Sequence, residues 1–391
     1  MILKDHKKHA DIAKPSLGFF GRNEWAFIGG QCSEIKSLAD EIISELTSTH
    51  KCFYADAKHA TESEDTVLSE NFSKDTFASY TNYGHYQQFN FSGSFNSFQF
   101  RQICNDADVI LINGNHFEAK SQIVIIDENK RSSLNKRLSQ LTNIELILLA
   151  DNTDEVFDFI KEKISSINEI PVYKLSETEK IIGFFKSKLL QAKPLLNGLV
   201  LAGGKSVRMG FDKALINWHG KEQQYYLADT LSEICSDVFI SCTPDRSIDL
   251  PYKKVEDTFM GLGPFGAILS AFRENPNTAW LIIACDLPLL DLETLTYLKE
   301  YRNPSSMATC FESPYNHFPE PLITIWEPKS YPVLLSFLSQ GYSCPGKSLG
   351  NMDVTVLQIP NPEKLTNVNT KEDMERVKLQ LQNTLQEFHA K

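Results

Sequence analysis

The chain has 391 residues, of which 42% are hydrophobic and 23% charged, and its formal net charge is −11 at pH 7. This length favours two domains, and this composition argues against wholesale disorder. The acidic balance argues against general nucleic-acid binding, and no apolar run is long enough to suggest a membrane partner. The eight cysteines form no CxxC pair and no apolar leader opens the chain, so we expect reduced thiols in a cytoplasmic protein.

The first half of the chain alternates predicted strands and helices. Apolar runs at residues 24–30, 52–55, 109–113, 123–126 and 146–150 predict buried strands, and helical periodicity occurs at 33–46, 154–165 and 176–191. Ser33 is the predicted N-cap of the first helix. Such alternation is typical of a parallel α/β sheet. The polar, aromatic stretch from about 60 to 103 has no clean period, and we expect either a long insertion or lid, or a hairpin packed on the sheet.

The turn after the first strand has the frame of a phosphate-binding loop. Gly30 is followed by four residues and then by Ile35, Lys36 and Ser37. A working P-loop needs glycine directly before the lysine, so that the backbone can fold round the phosphates. The β-branched Ile35 resists the required dihedral angles. We therefore interpret Lys36 and Ser37 as ordinary residues of a helix surface.

The layout of this half resembles the GTP-binding MobB family in three stretches, at residues 56–59, 107–116 and 145–160. That family usually carries a glutamate after the central strand, where this chain has Asn113. The resemblance implies a degenerate P-loop-like α/β domain over residues 1–191 that has lost nucleotide hydrolysis. Residues 192–197 are predicted to be a short linker, because Pro194 stops the preceding helix. A second domain is predicted over residues 198–391.

The second half opens with an apolar strand, paired glycines and a basic loop, in the run GLVLAGGKSVRMGFDKAL at residues 198–215. Gly203 and Gly204 lack a Cβ atom, so their amides can approach a phosphate closely. Three cations follow within a few residues: Lys205, Arg208 and Lys213. Guanidinium and ammonium groups both bind phosphate oxygens. The run therefore predicts a triphosphate-binding loop, and the alternative is a surface turn with solvated lysines.

Two acids follow later predicted strands. Asp257 precedes the run GLGPFG, whose glycines predict a tight loop that enters a helix. Asp286 follows the apolar strand 280–284, and in parallel sheets ligands bind at such strand ends. A carboxylate there can hold Mg²⁺ together with phosphate oxygens. The alternative for Asp257 is a turn-capping acid, and the alternative for Asp286 is a helix N-cap, a role that Asp291 fits better.

The run at 198–215 resembles the signature of nucleotidyltransferases, and its LAGG, RMG and DK elements are most similar to the molybdenum cofactor guanylyltransferase (MobA) family. The resemblance covers residues 197–385. It includes the motifs CDLP (285–288), GPFG (263–266), EPL (320–322) and NVNT (367–370). One departure is GYSCPGKSLG (341–350), where the family usually has an arginine for the pterin phosphate and this chain has only Lys347.

The resemblance implies a Rossmann-like (GT-A-like) nucleotidyltransferase domain that uses Mg²⁺ to transfer GMP from GTP to molybdopterin, with release of pyrophosphate. It assigns the metal to Asp286 and catalysis to Arg208, Lys213 and Asp286. It implies that GTP is bound by Leu201, Ala202, Gly203, Gly204, Lys205, Ser206, Arg208, Lys213, Asp257, Gly263, Asn367 and Asn369. The carboxylate of Asp257 would accept the two N–H groups on the Watson–Crick edge of guanine.

Three alternatives stay open at this point. Cytidylyl transfer to the same pterin is disfavoured by Gly203, since cytidylyl enzymes usually carry alanine there. A sugar-phosphate nucleotidyltransferase would share most of the motifs. In the third, the chain is a non-catalytic docking protein for the cofactor. Expected partners are GTP and molybdopterin, with molybdoenzymes or other cofactor-biosynthesis proteins as macromolecular candidates.

Overall fold

The computed structural model describes residues 22–57, 77–164, 166–202, 212–243 and 251–389. Within these, residues 22–187 form one compact unit and residues 188–389 form another. Each contains a largely or wholly parallel sheet with helices, so the predicted α/β class is confirmed. The role of residues 192–197 as a linker stays a prediction. None of the helices in the described part of the chain combines the length and the apolar character that a membrane crossing requires.

The chain up to residue 191 contains the following helices and strands: β1 (Asn23–Ile28), α1 (Cys32–Leu46), β2 (Cys52–Ala55), β3 (Ala78–Asn82), β4 (Gln87–Phe91), α2 (Ser97–Ile103), β5 (Val109–Asn113), β6 (Ser121–Ile126), α3 (Arg131–Asn135), β7 (Ile144–Leu149), α4 (Asp158–Lys163), β8 (Val172–Lys174) and α5 (Thr178–Gln191). The main sheet has the order β2-β5-β1-β6-β7-β8, and every neighbouring pair is parallel. Its central strands are continuous apolar runs because helices cover both faces.

Helix α1 begins one residue earlier than its sequence pattern suggests, and the predicted Ser33 cap is wrong. The N-cap is Gln31, and the Glu34 carboxylate accepts the Gln31 amide N–H at 3.2 Å. This reciprocal arrangement is a capping box, which satisfies amides that the first helical turn leaves without partners. Glu34, three residues after the N-cap, therefore fixes the residue at which this helix begins.

The aromatic stretch contains a hairpin, since β3 and β4 pair as a separate two-stranded antiparallel sheet. In the described structure neither strand pairs with the main sheet, so the hairpin does not extend it. Several of its rings are exposed, including Tyr80 and Phe89, which lie opposite each other in the register. Residues 58–76, which belong to the same predicted insertion, lie outside the described residues.

The second unit continues the chain with β9 (Leu196–Leu201), α6 (Gln223–Ser232), β10 (Val238–Cys242), β11 (Lys253–Glu256), α7 (Pro264–Glu274), β12 (Ala279–Ala284), α8 (Leu292–Glu300), β13 (Ala308–Glu312), β14 (Pro319–Trp326), α9 (Ser330–Ser339), α10 (Pro345–Leu349), β15 (Val354–Leu357) and α11 (Lys371–His389). The sheet has the order β11-β10-β9-β12-β14-β13-β15. Strand β14 is antiparallel to both of its neighbours, and the other pairs are parallel.

The core of this unit lies on both faces of β12, whose residues are all buried. Leu281 and Ile283 join a cluster with α6 and α8 on one face, whereas Trp280 and Ile282 join a cluster with α7 on the other. Because β9, β10 and β12 are parallel neighbours, their carboxyl ends meet at one edge of the sheet. That edge is where ligands bind in parallel α/β sheets.

Candidate active site

A cavity of about 260 Å³ opens at the carboxyl ends of β9, β10 and β12. Its wall contains six of the residues predicted from the sequence: Leu201, Ala202, Lys213, Asp257, Gly263 and Asp286. Five others, Gly203, Gly204, Lys205, Ser206 and Arg208, lie outside the described residues. Ala202 and Asp212, which flank residues 203–211, both line the cavity.

Lys213 is positioned by a short local turn. The Asp212 carboxylate accepts the Ala214 amide N–H at 3.0 Å and so caps a 3-10 turn at Lys213–Leu215. From this turn the Lys213 ammonium donates to the Asn369 side-chain oxygen at 2.6 Å and lies 3.7 Å from a carboxylate oxygen of Asp286. Three predicted residues, 73 to 156 positions apart in sequence, are therefore brought together.

Asp286 lies directly beyond β12, with its side chain 21% exposed. Within the described structure its Oδ1 atom is buried and has no hydrogen-bond partner, while Oδ2 faces Lys213. Burial raises the pKa of the Asp286 carboxyl, and the neighbouring Lys213 ammonium offsets part of that effect. Helix α8 is capped by Asp291, whose carboxylate accepts the Thr294 N–H, so capping does not explain Asp286.

The NVNT segment packs beside Asp286 through its backbone. The Val368 amide donates to the Asp286 carbonyl oxygen at 2.9 Å, and the Val368 side chain is buried. Thr370 and Asp373 cap α11 reciprocally. The segment is irregular rather than a strand, and neither Asn367 nor Asn369 belongs to the described cavity wall. Asn369 is connected to the site indirectly, because its side-chain oxygen accepts a hydrogen bond from the Lys213 ammonium.

The glycine-rich loop after β11 makes the close approach that its sequence predicts. Gly263 is the N-cap of α7 with φ 56°, and Pro264 occupies the first helical turn. A Cβ atom on Gly266 would lie 2.2 Å from the Phe259 carbonyl oxygen. Asp257 stands at the start of this loop, and its Oδ1 atom accepts the Ser241 hydroxyl at 3.0 Å. Burial raises the pKa of the Asp257 carboxyl.

Two further polar residues belong to this region: Ser241 has no assignment from the sequence, and for Glu320 the resemblance implies only that its EPL turn lies where the acceptor binds. Ser241 orients Asp257 from the end of β10, and only the fold brings them together. Glu320 belongs to β14, and burial and the Asp286 carboxylate both raise the pKa of its carboxyl. The EPL motif marks the position of Glu320 in the sequence, but its electrostatic coupling to Asp286 depends on the fold.

In the first unit, the loop with the P-loop frame has its polar groups engaged by protein side chains. The Asn115 side chain accepts the Gly29 N–H at 3.3 Å and donates to the Gly30 carbonyl oxygen at 3.1 Å. Lys36 is exposed and pairs with Asp40 one turn along α1, at 2.8 Å. The prediction that Lys36 belongs to the helix surface is confirmed.

Comparisons with known proteins identify the class of the second unit. The family model described as the MobA-like NTP transferase domain matches residues 198–349. All residues named in the cavity wall fall within this match, so the second unit contains a nucleotidyltransferase domain.

Comparison with individual relatives identifies the family to which the chain belongs. The molybdenum cofactor guanylyltransferase of Pseudomonas fluorescens is 30% identical over 44% of this chain and 89% of its own length. The molybdenum cofactor biosynthesis bifunctional protein of Synechocystis sp. is 35% identical over 46% of this chain, which spans only 52% of that relative. This chain belongs to the molybdenum cofactor guanylyltransferase family. The MobB-like nature of its first half stays a prediction.

A solved structure also matches the second unit. It is molybdopterin-guanine dinucleotide biosynthesis protein A from Archaeoglobus fulgidus, with a TM-score of 0.42 and 21% sequence identity. The match covers 48% of this chain and 99% of that one.

Proposed function

We propose that this protein transfers GMP from GTP to molybdopterin and releases pyrophosphate, forming molybdopterin guanine dinucleotide. An oxygen of the terminal phosphate of molybdopterin attacks the α-phosphorus of GTP, and the bond to the β-phosphate oxygen breaks. The observation that carries the proposal is the meeting of Lys213, Asn369 and Asp286 beside a cavity at the carboxyl edge of the sheet. Phosphoryl chemistry of this kind depends on positioning and charge stabilisation more than on a covalent group.

Magnesium is the cofactor that we propose, and the chemistry of Asp286 fits it. The buried Oδ1 atom, which has no hydrogen-bond partner in the described structure, is a hard carboxylate oxygen of the kind that Mg²⁺ binds together with phosphates and waters. Burying such an atom without a partner is costly, so a cation there would stabilise it. When bound, Mg²⁺ supplies positive charge that offsets the phosphate charge during transfer.

The remaining residues act by holding and orienting the nucleotide. The Lys213 ammonium, fixed by Asn369, stabilises the charge that develops on the departing pyrophosphate. Arg208 and the amides of Gly203 and Gly204 are proposed to hold the triphosphate. Asp257, fixed by its bond to Ser241, accepts the N–H groups of guanine.

The proposal is tested by following pyrophosphate release from GTP, molybdopterin and Mg²⁺. We expect Asp286→Asn to lower turnover by at least ~100-fold, because removal of one preorganised charge interaction typically costs this much, while the thermal unfolding curve stays cooperative. The control variant is Asp237→Asn, which changes an exposed acid that pairs with Lys253. Undiminished turnover of Asp286→Asn would reject the metal role, and preference for CTP over GTP would reject the assignment of the base.

A further inference from the structure

Two side chains from one short segment hold the backbone directly beyond Asp286. The Gln223 side-chain N–H donates to the Leu287 carbonyl oxygen at 3.2 Å, and this contact is buried. The His219 Nε2 atom lies 2.8 Å from the Pro288 carbonyl oxygen. A carbonyl oxygen can only accept, so this ring nitrogen carries the proton and donates. The two residues that follow Asp286 are therefore both fixed by hydrogen bonds from outside their own loop.

Gln223 is also bonded to the segment that carries Lys213. It is the first residue of α6, and its backbone N–H donates to the Ile216 carbonyl oxygen at 2.9 Å. The Ile216 amide in turn donates to the Lys213 carbonyl oxygen at 3.3 Å, within the turn that presents the Lys213 ammonium. Gln223 thus connects the chain just after Lys213 to the chain just after Asp286, and the ammonium and carboxylate of those two residues lie 3.7 Å apart.

The stability of the fold does not explain an amide side chain at position 223. Gln223 is fully buried, at 0% exposure, and within the described structure its Oε1 atom has no hydrogen-bond partner. Burying an amide oxygen without a partner is destabilising, and an apolar residue of similar size would avoid that loss. The Leu287 carbonyl oxygen would keep a donor without Gln223, because it also accepts the Leu290 N–H at 3.3 Å.

We propose that Gln223 is a positioning residue that holds Asp286 in place beside Lys213. Its side chain fixes the backbone after Asp286, and its backbone N–H fixes the segment after Lys213. His219 assists by holding the next carbonyl oxygen of the Asp286 loop. Groups that orient a metal ligand increase the affinity of the site for the ion. The inference rests on the proposed function, because it takes Asp286 to bind the divalent cation.

The test compares Gln223→Met with Gln224→Met in the full-length chain without nucleotide. Methionine is flexible and close to glutamine in length, and it removes both the donor to Leu287 and the oxygen without a partner. Gln224 is the matched control, since it is buried in the same helix but its side-chain N–H donates to Glu222. Thermal unfolding is measured without metal, and free Mn²⁺ is followed by electron paramagnetic resonance.

We expect Gln223→Met to melt at or above the wild-type temperature but to bind Mn²⁺ about 10-fold less tightly. This is the lower end of the loss that is typical when a group that orients a metal ligand is removed. Gln224→Met is expected to bind Mn²⁺ as the wild type does. A residue with a merely structural role would change the melting temperature and leave the Mn²⁺ affinity unchanged.

His219→Phe is a second variant, which decides the question if Gln223→Met does not fold. Phenylalanine keeps a ring against Tyr226, where the two centroids lie 3.8 Å apart, and removes the donor to Pro288. We expect His219→Phe to weaken Mn²⁺ binding, and His219→Gln, which keeps an N–H group, to bind Mn²⁺ more tightly than His219→Phe does.

The outcomes separate this inference from the proposed function. Wild-type Mn²⁺ affinity in a folded Gln223→Met protein overturns the inference, and if that variant does not fold, wild-type affinity in His219→Phe does so. An equal loss of affinity in Gln224→Met also overturns it, as does Mn²⁺ binding that Asp286→Asn leaves unchanged. If Mn²⁺ binding responds as expected but GTP and molybdopterin give no pyrophosphate, the transfer reaction is rejected and the inference stands.

Discussion

Replacing Gly266 with alanine is a stringent test of the loop that follows Asp257. The added Cβ would lie 2.2 Å from the Phe259 carbonyl oxygen, which is about 1.2 Å inside the ordinary contact distance of 3.4 Å. A backbone oxygen cannot rotate away as a side chain can, so the segment around Thr258 must move from α7. That movement breaks the bond in which the Thr258 N–H donates to the Ser270 hydroxyl at 2.9 Å.

The magnitude follows from three contributions. Forcing an extra methyl into a packed site costs about 1–3 kcal/mol, and an immobile neighbour favours the upper value. Loss of the Thr258 hydrogen bond adds about 1 kcal/mol, whereas the better helix propensity of alanine returns about 1 kcal/mol. The net loss of unfolding free energy is about 3 kcal/mol, which corresponds to a fall of roughly 6–12 °C in Tm for a unit of this size.

The assay compares thermal unfolding and GTP affinity for Gly266→Ala and Gly183→Ala. Gly183 also lies within a helix, α5, but in the described part of the chain no atom outside the local helix backbone lies within 4 Å of its added Cβ. There the substitution should raise the free energy of unfolding by about 0.5–1 kcal/mol. Gly266→Ala should also weaken GTP binding, because the displaced loop begins at Asp257. A Gly266→Ala protein that melts at or above the wild-type temperature would refute the steric argument.

Three further predictions concern stability and binding. Arg302→Met leaves the buried carboxylate of Glu327 without its two-pronged partner and should cost about 3–5 kcal/mol in chemical denaturation. Burial raises the pKa of the Asp257 carboxyl in the folded protein above its value in the unfolded chain. Protonation of this carboxyl therefore stabilises the folded protein below about pH 3.9, the unfolded pKa, and this stabilisation is lost as pH rises through the folded pKa. Asp257→Asn should therefore gain Tm over the nucleotide-free wild type toward neutral pH but not near pH 4. With a fluorescent GTP analogue, Lys36→Ala should bind as the wild type does, and Lys213→Ala should bind less tightly.

Much of the fold follows from local sequence patterns. The continuous apolar runs predict the buried parallel strands, because such strands are covered on both faces and do not alternate. Helix starts follow from capping chemistry when one cap dominates, as at Asp291. Two candidate caps compete at α1, where the Gln31–Glu34 capping box prevailed over Ser33. The stretch from about 60 to 103 has neither helical nor strand periodicity, so the sequence leaves its hairpin as one of two open alternatives.

The site could be predicted only as far as motif chemistry extends. Glycines that allow close approach and an acid at a strand end are recognisable from residue type and position, as for Gly263 and Asp286. Contacts that depend on the order of strands are not, because pairing between β12 and β14 crosses about 40 residues of chain. The bond from Ser241 to Asp257 and the contact of Lys213 with Asn369 belong to this second kind.

The acidic residues at the carboxyl edge of the sheet share one physical feature. Burial raises the pKa of the carboxyls of Asp257, Asp286 and Glu320, so each ionised group reduces the stability of the nucleotide-free protein at neutral pH. A fold selected for stability alone would place uncharged side chains at these positions. Retaining Asp257 and Asp286 in the wall of one cavity is consistent with ligands that supply the missing partners, which are N–H groups for Asp257 and a divalent cation for Asp286. The stability that these acids remove from the nucleotide-free protein is therefore offset when the proposed ligands bind.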